Sequence, residues 1–121
     1  MGKFKHHSYF TKKKNEQSYL LPNVCFNCCK SFKKPVSDER RLCPQCGIPL
    51  TALSRKFSAP RSSETEQWRK VRFLVDHGFF FQSVYEIRAD GHNYRVMYPR
   101  TLAEAKEFVI KYKAQSAARA F

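Results

Sequence analysis

Two Cys-x-x-Cys pairs constrain the fold of this chain more than any other feature of its sequence. Cys25 and Cys28 form the first pair, Cys43 and Cys46 form the second, and fourteen residues lie between them. Four thiolates at this spacing suit one tetrahedral zinc ion, because each pair wraps an edge of the ion in a tight turn and the connecting residues bring the turns together. We therefore predict one structural Zn²⁺ held by these four cysteines.

Residues 25–28 and 43–46 are called the first and the second knuckle below. In the second knuckle Pro44 fixes φ, and Gly47 can adopt the positive φ that lets the chain leave the ion, with its backbone N–H expected near a sulfur. Residues 24–50 resemble the zinc-ribbon superfamily, with rubredoxin-like knuckles. The resemblance implies a metal site and a short β-hairpin, and no particular activity.

Cys29 departs from the zinc-ribbon pattern, since ribbons often carry Gly, Lys or Arg at this position. The departure leaves open whether Cys28 or Cys29 is the second ligand. The symmetrical spacing of the two pairs favours Cys28, and Cys29 is then a free thiol.

Other uses of the cysteines fit the pattern less well. A redox Cys-x-x-Cys motif needs one pair only, and a catalytic zinc keeps an open position that four cysteines would close. Iron with the same ligands would suit electron transfer, although rubredoxins have a longer gap between knuckles and an acidic surface.

The charge of the chain is strongly positive and unevenly distributed. Its 121 residues include 23 Lys and Arg against 10 Asp and Glu, for a formal charge of +13. Residues 1–60 contain twelve basic and three acidic residues, whereas residues 61–121 contain eleven and seven. The first half therefore accounts for most of the attraction to a polyanion.

No apolar run is long enough for a membrane span, and the N-terminus shows no secretory signal. We expect a cytoplasmic protein in a reducing compartment. The predicted fold class is small α+β, with a flexible basic tail (1–21), a zinc ribbon (22–53), a linker (54–63) and a helix-hairpin-helix or αββα unit (64–121).

Within residues 64–121, a helix is predicted over about 64–77. It begins with a capping box at Ser63 and Glu66, and Trp68 is its main core residue. A second capping box at Thr101 and Glu104 opens a helix that ends near Tyr112.

Between the helices, Asp90-Gly91 predicts a β-hairpin with strands over residues 80–88 and 92–98. A two-residue turn would pair Ala89 with His92, and would place Ile87 opposite Tyr94 on an apolar face.

Basic residues in the tail, between the knuckles and just beyond the ribbon are the candidate nucleic-acid contacts. They are Lys12, Lys13, Lys14, Lys30, Lys33, Lys34, Arg40, Arg41, Arg55, Lys56 and Arg61. Phe26, Phe32 and Phe57 are interleaved among them and offer faces for base stacking. Phe32 and Phe57 are equally suited to fill the small core of the ribbon.

These features predict a non-enzymatic nucleic-acid-binding protein that binds RNA in preference to DNA, with ribosomal RNA or a ribonucleoprotein as the expected partner. A DNA-binding, transcription-associated ribbon and a protein adaptor that recognises an acidic partner remain alternatives. A His-Asn-His nuclease is a poor match, since both knuckles precede His92-Asn93 and no third His follows. We expect no membrane partner and no small-molecule substrate.

Overall fold

The structure, a computed structural model, describes residues 19–37 and 39–118. The first half contains an antiparallel sheet of strand order β2-β1-β3, formed by β1 (Leu20–Cys25), β2 (Lys30–Pro35) and β3 (Thr51–Ala52). β1 is the central strand of this sheet, and its residues from Leu21 to Cys25 are buried. Cys25 pairs with Lys30, so the first knuckle lies in the turn of the β1–β2 hairpin. The hairpin that the zinc-ribbon resemblance implies is therefore present.

The second half contains two α-helices and a second, two-stranded sheet. Their bounds are α1 (Thr65–Asp76), β4 (Tyr85–Ile87), β5 (Asn93–Arg95) and α2 (Leu102–Lys111), with a short 3-10 helix at Lys113–Gln115. The small α+β class is confirmed. Residues 1–18 of the predicted basic tail lie outside the described ranges, and the division into a ribbon, a linker and a separate αββα unit stays a prediction. None of the described helices has the length and apolarity needed to cross a membrane.

One core cluster joins the sheet to α1. Trp68 of α1, 3% exposed, is buried with Val24 of β1, with Phe57 and with three more apolar residues, which are Leu53, Val71 and Phe80. Its indole Nε1 donates a hydrogen bond to the carbonyl oxygen of Arg61, 3.0 Å away. The sequence predicts Trp68 as the main core residue of residues 64–121; its burial is confirmed, but its cluster includes residues of the sheet. Phe57 is also core, whereas Phe32 is only half-buried.

A second core cluster packs the end of α1 against α2. Phe79, fully buried, lies at its centre and contacts Phe108 edge to face with ring centroids 5.2 Å apart. The other members are Leu74, Val84, Ala105 and Val109. Phe81 packs against both clusters, so the two cores are continuous through its ring.

The two predicted capping boxes have different outcomes. At α2 the prediction is confirmed, because the Thr101 hydroxyl accepts a hydrogen bond from the backbone N–H of Glu104. At α1 it is wrong, since the N-cap is Glu64 and no side chain caps the helix. Arg61 explains the difference: its backbone N–H donates to the Glu64 carboxylate, and its carbonyl accepts from the Glu64 N–H. This turn moves the N-cap from Ser63 to Glu64, and the helix begins at Thr65.

The register predicted for the second hairpin is wrong by one residue. Ile87 pairs with Asn93 and Glu86 pairs with Tyr94, and the strands are three residues each. A two-residue type I′ turn needs positive φ at both central positions, but at this turn only Gly91 has it, with φ +82°. The loop therefore contains a third residue, and Ile87 is 76% exposed instead of facing an apolar partner.

Gly78 ends α1 in a position that no other residue fits. Its φ is +86°, and a Cβ there would lie 2.6 Å from the carbonyl oxygen of Ala117, whose N–H donates to the Gly78 carbonyl. Gly91 has a similar φ of +82°, but a Cβ added there would have no heavy atom within 4 Å.

We predict that Gly78→Ala destabilises the protein more than Gly91→Ala. Gly91→Ala should cost only the backbone strain, about 1–2 kcal/mol, whereas Gly78→Ala must also displace the segment around Ala117. Urea denaturation followed by circular dichroism measures both. Equal losses would show that the contact between Gly78 and the C-terminal segment contributes nothing.

Candidate metal centre

Each knuckle is held in its turn by backbone hydrogen bonds to sulfur. In the first, the N–H of Cys28 donates to Cys25 Sγ at 3.3 Å, and in the second the N–H of Gln45 donates to Cys43 Sγ at 3.4 Å. Gly47 has the expected positive φ of +78°. Its N–H, however, donates to the carbonyl oxygen of Cys43 and not to a sulfur, which corrects the sequence expectation.

The four sulfur atoms form one compact cluster. The Sγ atoms of Cys25, Cys28, Cys43 and Cys46 all lie within 4.8 Å of one another. Cys25 Sγ is 3.5 Å from Cys46 Sγ, and Cys28 Sγ is 4.0 Å from Cys43 Sγ. Zn–S bonds of about 2.3 Å in a regular tetrahedron place the sulfurs about 3.8 Å apart, so the observed separations fit such an ion. The predicted ligand set is thus assembled as a site that could hold a metal.

The two knuckles differ in the acidity of their thiols. Burial raises the pKa of Cys25, and the hydrogen bond with Cys46 raises the pKa of Cys28 to about 12. Burial also acts to raise the pKa of Cys43, but backbone N–H groups donate to its sulfur and lower it overall.

The backbone N–H of Ile48 lowers the pKa of Cys46 to about 6, and the side chain of Asn27 helps. Without a metal, Cys46 is therefore mainly a thiolate at neutral pH, while Cys25 and Cys28 keep their protons. A bound cation would displace those two protons.

Cys29 lies beside the cluster and is not a member of it. Its thiol donates to the carbonyl oxygen of Phe26, 3.7 Å away. Its φ of +54° lies in the left-handed region, where a residue with a Cβ is strained by about 1–2 kcal/mol. This conformation explains why Gly suits the position. The structure therefore groups Cys28, and not Cys29, with the other three cysteines.

No protein-family model, curated protein or solved structure matches this chain. The likeness to zinc ribbons rests on the geometry of the two knuckles. The assignment of the metal site rests on the positions of its four sulfur atoms, and not on similarity to a known protein.

Eight of the predicted nucleic-acid contacts fall in the described residues, while Lys12, Lys13 and Lys14 lie outside them. Lys30, Lys33 and Lys34 lie along β2, which is an edge strand of the sheet. The others follow in the segments before the second knuckle and after β3, and are Arg40, Arg41, Arg55, Lys56 and Arg61. None of the eight forms an ion pair with a carboxylate of residues 19–37 or 39–118.

Three of these cations contact neutral groups of the protein. Arg41 donates to the carbonyl oxygen of Pro35 at 3.2 Å, Lys56 Nζ donates to Ser83 Oγ at 2.7 Å, and the Arg55 guanidinium lies 5.2 Å from the centre of the Tyr19 ring. These contacts orient the side chains without neutralising their charge.

Sequence reasoning missed two groups of residues at the site. Asn27, whose side chain helps to lower the pKa of Cys46, carries no signal beyond its place inside a knuckle. Arg69 and Arg72 on α1, which are not among the predicted site residues, line a cleft with Phe26 of the first knuckle. Only the folded chain brings α1 to the first knuckle, because 36 residues separate Cys28 from Thr65 in sequence.

Proposed function

We propose that this chain is a non-enzymatic RNA-binding protein whose first half is stabilised by zinc. The observation that carries the proposal is the set of eight cations on and around the metal-binding sheet, none paired with a carboxylate of the described residues. Cations left unpaired on a rigid module attract a polyanion and release its counterions on binding.

Zinc is the metal that we propose for the site. Four thiolates suit a structural zinc, and they leave no open position at which water or substrate could be activated. The site therefore supports a fold element and not a catalytic centre. A reducing compartment such as the cytoplasm would keep the thiolates available.

RNA is favoured over DNA because aromatic side chains are interleaved with the cations. Stacking of unpaired bases on such rings is typical of RNA recognition. Phe26 is only half-buried and lies among these cations in sequence. Ribosomal RNA, or the RNA of a ribonucleoprotein, would supply both phosphates and unpaired bases. A duplex DNA partner and an acidic protein partner are outcomes of the test below.

We predict that affinity for a structured RNA falls steeply as salt is raised. The double variant Lys33→Gln, Lys34→Gln should lower affinity about tenfold and reduce the slope of log affinity against log salt by between about one and two. The control is the double variant Lys106→Gln, Lys113→Gln, which removes the same charge. Both of these lysines are exposed and lie in or just beyond α2. Fluorescence anisotropy with labelled RNA measures both.

Three results would contradict this proposal. Equal losses in the two double variants would mean that the lysines of β2 only protect an exposed strand edge. Tighter binding to duplex DNA of the same length would favour a DNA partner. Retention of an acidic protein partner after nuclease treatment, without affinity for RNA, would favour the adaptor alternative.

A further inference from the structure

A cleft lies between the first knuckle and the first turns of α1. Its volume is about 240 Å³. The first knuckle contributes Phe26, and Cys29 follows directly after it. The other lining residues belong to α1 and are Thr65, Trp68, Arg69 and Arg72. The cleft therefore combines two aromatic rings with two guanidinium groups, next to the metal site and apart from the predicted cation set.

The aromatic rings are fixed in place, whereas the guanidinium groups are exposed. Phe26 and Trp68 contact each other edge to face, with centroids 6.2 Å apart and planes at 79°. The Arg72 guanidinium lies 6.0 Å from the centre of the Phe26 ring, at the outer limit of a cation–π contact. The contact is therefore weak, and Arg72 remains free to approach an anion.

The charge of the cleft suits one phosphate group. Arg72 forms no ion pair with a carboxylate of the described residues, while Arg69 pairs with Glu66 at 3.0 Å. Both side chains of that pair are at least 70% exposed, so the pair contributes little and Arg69 can exchange the carboxylate for a phosphate. Guanidinium groups bind phosphate oxygens in two-point contacts.

The size of the cleft suits one base. Pockets for drug-sized ligands occupy roughly 300–1,000 Å³, so about 240 Å³ is too small for a whole dinucleotide cofactor. A base within a duplex is stacked between its neighbours and cannot enter. An unpaired base can leave the strand and lie against aromatic side chains.

We propose that this cleft binds one unpaired nucleotide of an RNA strand. Its base lies against Phe26, whose ring packs edge to face on the buried Trp68, and its phosphate is held by Arg72 with help from Arg69. The inference rests on the proposed RNA binding and deepens it, because it adds a contact for single strands to a charge-based affinity for any RNA.

The test uses the intrinsic fluorescence of Trp68, the only tryptophan of the chain. The full-length, metal-loaded protein is titrated with an adenylate oligonucleotide of about eight nucleotides, alone or annealed to its uridylate complement. We expect the single strand to quench Trp68 and the duplex to leave its emission unchanged. Equal quenching by both forms would overturn the inference.

Two variants separate the cleft from general charge. Arg72→Gln should weaken single-strand binding about tenfold, whereas Arg95→Gln, an exposed residue of β5 outside the cleft, should weaken it less than about twofold. Phe26→Leu should weaken it about tenfold with the metal content unchanged. Equal losses in Arg72→Gln and Arg95→Gln would overturn the inference even if Phe26→Leu disturbs the knuckle.

The same titrations distinguish this inference from the proposed function. Salt-dependent binding of structured RNA with no change in Trp68 emission on adding the single strand overturns the cleft alone. Absence of binding to any RNA at low salt overturns the proposed function and the inference together.

Discussion

Cys28→Ser is expected to abolish metal binding, whereas Cys29→Ser leaves one ion per chain. The two residues are neighbours in sequence, but only Cys28 Sγ belongs to the four-sulfur cluster. Removing one thiolate opens the tetrahedral site, and the free energy of binding structural zinc in small modules is about 10–16 kcal/mol. This binding free energy is as large as the whole folding stability of a typical domain, about 5–15 kcal/mol. The sheet should therefore unfold when the metal is lost.

Metal content after dialysis against a chelator measures the first part of this prediction, and amide hydrogen exchange of β1 and β2 measures the second. Cys29→Ser serves as the matched control, because its thiol hydrogen-bonds to the Phe26 carbonyl and lies outside the four-sulfur cluster. Retention of the metal by Cys28→Ser would show that Cys29 replaces Cys28 as a ligand. Loss of the metal from Cys29→Ser would likewise show that Cys29 is a ligand in place of Cys28.

Trp68→Ala is expected to lower the free energy of unfolding by about 3–5 kcal/mol. The ring fills the core between β1 and α1, and no neighbour can occupy its volume without moving the sheet. Truncation also removes the indole hydrogen bond to the Arg61 carbonyl, which keeps only the bond from the Glu64 N–H. Trp68→Phe keeps most of the buried ring and should lose about 1–2 kcal/mol.

Circular dichroism in urea measures this loss, since the variant no longer has a tryptophan signal. Tyr85→Ala, at an aromatic residue that is 45% exposed, is the control and should lose less than about 1 kcal/mol. Because one cluster includes residues of both the sheet and α1, we expect a single transition in every variant. A Trp68→Ala variant that unfolds in two steps, with only the second one shifted, would contradict a shared core.

The sequence was sufficient for features that depend on local chemistry. The spacing of the cysteines predicts the four-sulfur cluster, because two tight turns can meet around one ion in only a few ways. The apolar period of α1 and the capping box at Thr101 likewise depend on residues within one turn of each other.

Features that depend on small backbone differences or on distant segments were beyond the sequence. Asp90-Gly91 locates the second hairpin, but it suits both a two-residue and a three-residue turn, and the choice reverses which side chains face out. The same holds for the start of α1, where Glu64 competes with Ser63. The cleft between Phe26 and Arg72 needs the packing of α1 against the first knuckle, which no local pattern specifies.

The position of Val24 would link the folding of the described residues to the supply of the metal that we propose for the site. Val24 is fully buried against Trp68 and is bonded directly to Cys25, so a change at the site reaches α1 through a single residue. A metal that binds only the folded chain adds about 1.4 kcal/mol of stability for each tenfold rise of its free concentration above the dissociation constant. When the ion is scarce, helices that never touch it would also lose stability. The lifetime of this protein in a cell would then follow the availability of zinc.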